Sequence, residues 1–335
     1  MPRNGLIAAL GEGGVYLVDP RSSAKHLVPG TASADDYQWS PDGQTLVFDT
    51  GDADDGSWTD SDVYAVRADG TQLHRVIRDA WSPSWLPDSS GLLVMREIAT
   101  DVKFPGLPTF EAWNVATYAT RADGSDPRNL TGFDESGDDA FAVSPDGKWV
   151  AYSSFGVNRV RLDGSGRKRL TGEQPVLDLT WSPDGRWLAF VTDEDNYLVR
   201  PDGSDLRGFG RAGDPFGRLA WSPDGSTIAA ERLLDEPPWA EIALVDVDTG
   251  SERSLTRRSI ASLAPAWSPD GKQIVFVGSA GWWKCDSDDL GDLWVANSDG
   301  SGVRRLAKGC WGRPSWLPTA PAQTAPAPAP GGAAG

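Results

Sequence analysis

The sequence predicts an all-β protein, a seven-bladed β-propeller closed by its C-terminal strand joining the N-terminal blade. A six-bladed ring is the alternative. Three observations carry this prediction: a turn word that returns at a blade-like period, one strand grammar between its copies, and two chain ends that complement each other.

The word Trp-Ser-Pro-Asp-Gly begins at Trp39, Trp181, Trp221 and Trp267. Relaxed copies are Trp85-Leu-Pro-Asp-Ser89, Val143-Ser-Pro-Asp-Gly147 and a truncated Trp316-Leu-Pro318. The intervals between first positions are 46, 58, 38, 40, 46 and 49 residues. A six-bladed count requires the third repeat, with its 58-residue interval, to be misread. Turn physics explains the word without chemistry. Pro presets φ for the second turn position, Asp suits the third, and Gly accepts the left-handed backbone that closes the hairpin. The Ser can bond the turn backbone, and the indole ahead of it brings a large apolar surface with an N–H seeking a carbonyl. Ser89 stands where the other words place Gly, so that turn is expected to be strained.

Each interval then reads as an apolar run, a variable loop, a second apolar run, an Asp-Gly turn and a short strand. Residues 187–209, "WLAFVT" through "NYLVRPDGSDLRGF", show it most cleanly, with Asp202-Gly203 at the second turn. At the start, "GLIAAL", "GVYLVDP" and "AKHLVP" supply three strands with no preceding word. At the end, "GRPSWLP" supplies one strand without its blade. Joining them leaves no open sheet edge.

A chain of 335 residues with 39% apolar content can build one large domain, expected over residues 1–318. Residues 319–335 are Pro/Ala-rich without apolar periodicity and are expected to be a disordered tail. The net charge of −17 repels phosphate backbones and anionic bilayers, so nucleic acid and membrane insertion are not expected. The opening residues hold too short an apolar run for a secretory signal, so any export signal is expected to lie outside this chain.

The word before "KQIVFVG", the Asp-Gly turn and the "RRL" strand after it resemble the TolB-like β-propeller repeat, a WD40-like unit. The resemblance covers roughly residues 5 to 318, and implies a periplasmic or extracellular, monomeric module that binds protein. The α/β domain that precedes the blades in TolB-type proteins is not expected within these residues, since the first strand is read within a few residues of Met1.

In such blades the turn words share one face and the long connections share the other. The long connections are 49–62, 96–114, 231–239 and 278–292, acidic and aromatic. Function is expected on that loop face. Trp58, Trp113, Trp239, Trp282 and Trp283 fall in or beside these loops as candidate anchors for a partner, against the plainer reading that they fold back as local core. Three positions before each word stand Asp36, Ser82, Ala140, Asp178, Arg218, Ala264 and Arg313, expected at the channel mouth. Asp178 with Arg218, and Arg313 with Asp36, are expected as ion pairs between blades, with a ligand-binding mouth as the sharper reading. Cys285 and Cys310 are placed to form a disulfide closing 24 intervening residues, in an oxidising compartment.

Catalytic equipment is scarce. His26 and His74 lie in apparent outer strands, away from the channel, and no nucleophile elbow, phosphate loop or zinc spacing is present. No residue is assigned a catalytic role, and no cofactor is expected. The acidic loops raise calcium, but neither 52–62 nor 286–292 has the ligand order of an EF-hand loop, and solvated acidic loops are the expectation. A glycan-binding or carboxylate-based glycan-cleaving propeller is the alternative function, since paired Asp or Glu would leave no motif.

Overall fold

The structure, a computed structural model, describes residues 5–51, 61–102, 110–131, 140–234, 236, 240–256, 260–279 and 291–318, without the side chains of 98–102 and 110–114. The tail at 319–335 lies outside them. Among the described residues every regular element is a strand, and the strands come in groups of four.

The first group is short by one: β1 (Ile7–Gly11), β2 (Gly14–Val18) and β3 (Lys25–Leu27). Five antiparallel four-stranded sheets follow. They are β4 (Tyr37–Trp39), β5 (Thr45–Asp49), β6 (Val63–Arg67) and β7 (His74–Ile77); β8 (Trp81–Trp85), β9 (Gly91–Val102), β10 (Phe110–Arg121) and β11 (Arg128–Asn129); β12 (Phe141–Val143), β13 (Trp149–Ser153), β14 (Val157–Arg161) and β15 (Lys168–Arg169); β16 (Asp178–Trp181), β17 (Leu188–Val191), β18 (Asn196–Val199) and β19 (Arg207–Gly208); and β20 (Phe216–Trp221), β21 (Thr227–Leu233), β22 (Ala240–Asp246) and β23 (Glu252–Ser254). The last group is β24 (Ala261–Trp267), β25 (Gln273–Ser279), β26 (Gly291–Asn297) and the long β27 (Arg304–Trp316).

The long strand serves two groups. Its first half pairs with β26 through Arg304, Arg305 and Ala307. Its second half pairs with β1, placing Trp316 opposite Ile7 and Gly312 opposite Leu10. The result is one seven-stranded sheet in the order β24-β25-β26-β27-β1-β2-β3.

The core sits between sheets, because strands such as β5 and β17 bury side chains on both faces. Among the described residues it falls into seven apolar clusters, each joining two consecutive groups. Val47 and Val63 pack on Trp85 and Leu92, Leu93 on Val150 and Tyr152, and Val275 and Leu293 on Ile7 and Trp316. A side chain such as Phe190, fully buried, contributes roughly 2–3 kcal/mol by leaving water.

The turn words hold one end of this stack. In each full copy the buried Ser donates its hydroxyl to the Asp two residues on, as Ser182 does to Asp184 at 2.7 Å. The same oxygen accepts the N–H five residues on, as from Trp187 at 2.9 Å. Successive words also nest. A Cβ at Gly147 would stand 3.7 Å from Pro87, at Gly185 3.8 Å from Pro145, at Gly225 3.8 Å from Pro183 and at Gly271 3.7 Å from Pro223. At Gly43 it would stand 3.1 Å from the carbonyl of Pro318, so the last word abuts the first.

The indoles follow a rule of their own. Trp181, Trp267 and Trp316 donate Nε1–H to the carbonyls of Ala142, Ala220 and Ala266, each the residue just ahead of the preceding word. Where Gln38, Thr180 or Ser315 takes that place, the indole N–H of Trp85, Trp221 or Trp39 is buried without a partner among the described residues. Ser89 has φ of 61°, the strained left-handed turn expected where Gly is missing.

Part of one expected loop is strand. Residues 96–102 and 110–114 extend β9 and β10 as a paired ribbon, with Glu97 opposite Val115 and Val102 opposite Phe110. The inner strand β8 stops its pairing at Met95. Seven further residues of β9 therefore run on for roughly 20 Å as two strands alone. Alternating β-formers such as Ile98, Thr100 and Val102 favour extension there.

Candidate functional site

All seven residues three positions ahead of a word come together. Asp36, Ser82, Ala140, Asp178, Arg218, Ala264 and Arg313 line a single cavity of about 670 Å³ at the end opposite the turn words. The ends of β4, β8, β12, β16, β20, β24 and β27 bring them there.

Local irregularity shapes this mouth. In β8, β20, β24 and β27 two residues face one on the partner strand, a β-bulge at Ser82-Pro83, Gly217-Arg218, Ala264-Pro265 and Arg313-Pro314. Ser82, Ala264 and Arg313 adopt φ of 48°, 50° and 46°. A proline following each removes one ladder donor, and the bulge residue's own N–H turns away from the ladder.

Carboxylates take up those amides. Asp49, on β5 and 2% exposed, accepts N–H of Ser82 at 2.7 Å from the next sheet and N–H of Asp36 at 2.9 Å. Asp178 accepts N–H of Leu219 at 2.8 Å, again from the next sheet, and N–H of Leu179 at 2.9 Å. Glu231 accepts the N–H groups of Ala264, in the following sheet, and of Arg218. Three acidic side chains thus pin one sheet to the next through backbone.

Burial sets their electrostatics. Desolvation pushes the Asp49 carboxyl up to about 6, against the amide bonds that favour its charge, and the Asp36 and Asp35 charges push it the same way. Desolvation likewise raises Asp178 above the ordinary carboxylate value, with the two amides and Arg218 opposing.

Of the two expected ion pairs, one forms. Arg313 Nη1 lies 2.7 Å from Asp36 Oδ2, joining β27 to the strand start ahead of β4. Tyr37 reinforces it by donating its hydroxyl to the Arg313 carbonyl at 2.6 Å. Asp178 and Arg218 make no ion pair within 4 Å, because the bulge gives Asp178 a backbone amide instead. The Arg218 side chain is exposed in the cavity. The ring is legible in the sequence, but Asp49 and Glu231, which lie on second strands, are not. The Pro two residues before three of the words is the signal that marks the bulges.

The other expected site residues divide differently. Trp58, Trp239, Trp282, Trp283 and Cys285 lie outside the described residues. Trp113 is in β10, opposite Ala99 in the ribbon. Cys310 lies within β27 rather than in a connection after it. His26 and His74 are exposed on β3 and β7. Among the described residues no three His, Cys, Asp or Glu are grouped to hold a metal ion.

A separate ionic group, not signalled in the sequence, stands at the same end of the β20–β23 sheet. Arg232, 5% exposed, contacts Asp214 at 3.0 Å, Glu241 at 3.2 Å and also Glu252. The turn end has its own hollow of about 500 Å³, walled by Asp224, Trp267, Asp270 and their neighbours in the words.

The family model described as "WD domain, G-beta repeat" matches residues 164–199. TolB from Acinetobacter baumannii superposes with a TM-score of 0.55 at 18% identity, covering 92% of this chain and 81% of that one. The fold is that of a TolB-like β-propeller. The repeating sheets are therefore blades. An oligogalacturonate lyase solved with manganese shares the fold at a TM-score of 0.61 and 17% identity, over 92% of this chain and 86% of that one. In sequence, an uncharacterized peptidase of Bacillus subtilis, YuxL, is 27% identical over 40% of this chain. The chain spans 28% of the length of that relative.

Proposed function

We propose that this TolB-like propeller is a non-enzymatic interaction module of seven blades that captures a protein partner on its loop face. Support for seven blades comes from the seven core clusters, with the seven-stranded sheet counted as two blades sharing β27. Closure of the ring draws on the pairing of β27 with β1 and the contact of Gly43 with Pro318.

The observation that carries the functional reading is the commitment of the mouth's carboxylates. Asp36 is tied to Arg313, and Asp49, Asp178 and Glu231 are tied to amides. A glycan-cleaving mechanism needs one carboxyl free to give a proton and another free to attack or to activate water. The loop face instead offers apolar contact: Leu233 and Leu177, exposed at 69% and 61%, are the most exposed large apolar side chains among the described residues. Both stand at that end, and exposed apolar side chains of this kind mark interaction surfaces.

The reading places the protein outside the cytoplasm as a monomer, with Cys285 and Cys310 bridged and no cofactor. Among the described residues no helix is long and apolar enough to cross a membrane. Replacing Trp282 and Trp283 together by Ala tests the function. Affinity capture from the native source should lose its partner while the thermal midpoint stays put. Loss of fold would assign both to the core, and unchanged capture would remove them from the interface. Two free thiols in the unreduced protein would remove the bridge, and heat on calcium titration would add a cofactor.

A further inference from the structure

Five charged side chains line the cavity at the mouth, and four of them are engaged: Asp36 with Arg313, and Asp178 and Glu231 with backbone amides. The fifth is Arg218. Its backbone N–H is bonded to Glu231, but its guanidinium is exposed and makes no ion pair among the described residues. Leu177, Leu219 and Phe216 line the cavity around it, and Phe141 and Met95 line it further round. One uncommitted cation, with five donors in a planar fork, therefore faces a chamber whose lining is part polar and part apolar.

We propose that this chamber takes the free C-terminus of a peptide, with Arg218 holding the terminal carboxylate in a two-pronged contact. The final apolar side chain then lies against Leu177 and Phe141. Charge selects the carboxylate. A dianionic phosphate would meet one guanidinium against Asp36, Asp178 and Glu231, whereas a planar monoanion matches the fork and adds one charge only. The walls select a peptide over a simple aliphatic acid. Gln38, whose amide oxygen accepts N–H from Trp85, keeps an exposed NH₂ in the lining, and Ser84 stands beside it. Such groups suit a main chain, and capture of a terminal carboxylate is a recurrent recognition mode. A volume of about 670 Å³ is of ligand-pocket size.

The proposal rests on the loop face being the binding face, yet its test needs no native partner. Acetyl-Ala-Leu-Phe as the free acid, the same peptide as the C-terminal amide, octanoate and inorganic phosphate are each titrated into the full chain by calorimetry. The acid should bind about tenfold or more tightly than the amide, with octanoate and phosphate weaker than the acid. Arg218→Gln should erase the difference between acid and amide, and Arg218→Lys should keep part of it. An unchanged thermal midpoint in Arg218→Gln establishes that the fold is intact. Equal binding of acid and amide, a difference that survives Arg218→Gln, tighter binding of octanoate or phosphate, or no binding of the acid at millimolar concentration would each overturn the proposal. Loss of partner capture in the tryptophan variants with failure here would leave the face and remove only the carboxylate site.

Discussion

Aspartates at the two ends of this propeller accept hydrogen bonds of similar length and come out with opposite electrostatics. At the turn end, Asp146, Asp224 and Asp270 each accept the hydroxyl of the serine two residues earlier at 2.7 Å, and that bond, in open surroundings, holds the carboxyl below its ordinary value. At the mouth, Asp49 and Asp178 accept two backbone amides each and are nonetheless raised, because burial outweighs the bonds. The first set closes turns within a blade. The second joins blade to blade, at the mouth of the cavity. The difference teaches that solvent access, more than bond count, decides which carboxylates tolerate charge here.

The largest expected effect belongs to Asp49. The folded carboxyl holds its proton up to about pH 6 and the unfolded one releases it near the ordinary 3.8. Between those values the folded state binds more protons, so stability gains from this group as pH falls from about 6 to about 4. The two-unit separation corresponds to about 3 kcal/mol. The turn aspartates act in the opposite direction: the stability they add is lost as pH falls from the ordinary carboxylate value through their lowered ones. Denaturant unfolding at pH 4.5 and pH 7 should thus show a pH dependence that flattens in Asp49→Asn. Equal slopes in both proteins would put Asp49 on the same footing as the turn aspartates.

At the turn end, Ser182→Ala should cost about 1–3 kcal/mol, because it leaves the buried Trp187 N–H without its acceptor. A midpoint shift no larger than that of an exposed substitution would break the view of the word as a hydrogen-bonded clamp. Smallest of all, Ser89→Gly should stabilise by about 0.5–1 kcal/mol, since the other full words hold Gly at φ near 70° in this place. Destabilisation by Ser89→Gly would mean that its side chain, not its backbone, decides.

Much of this was legible. The words mark the blades because a Pro-Asp-Gly turn has few alternative uses, and the spacing of three residues before each word found one lining residue of the mouth from each repeat. The pairing of Arg313 with Asp36 followed from joining the chain ends. The failure at Asp178 and Arg218 came from the bulge at Gly217-Arg218, which turns an amide toward the carboxylate where a flat strand would have left a charge pair. Asp49 and Glu231 escaped because they sit on second strands with no repeat position to flag them. The paired strands at 96–102 and 110–114 read as a loop in the sequence because Pro105, Gly106 and Pro108 obscure the strand pattern on either side.

The mouth's acids hold scaffold amides, and Arg218 is the residue proposed for a ligand. Urea unfolding of Asp178→Ala beside Arg218→Gln separates these two roles. A loss of about 2 kcal/mol or more is expected for Asp178→Ala, from two stranded amides, and less than about 0.5 kcal/mol for the exposed Arg218→Gln. Equal losses in the two variants would contradict this separation, by making Arg218 part of the scaffold.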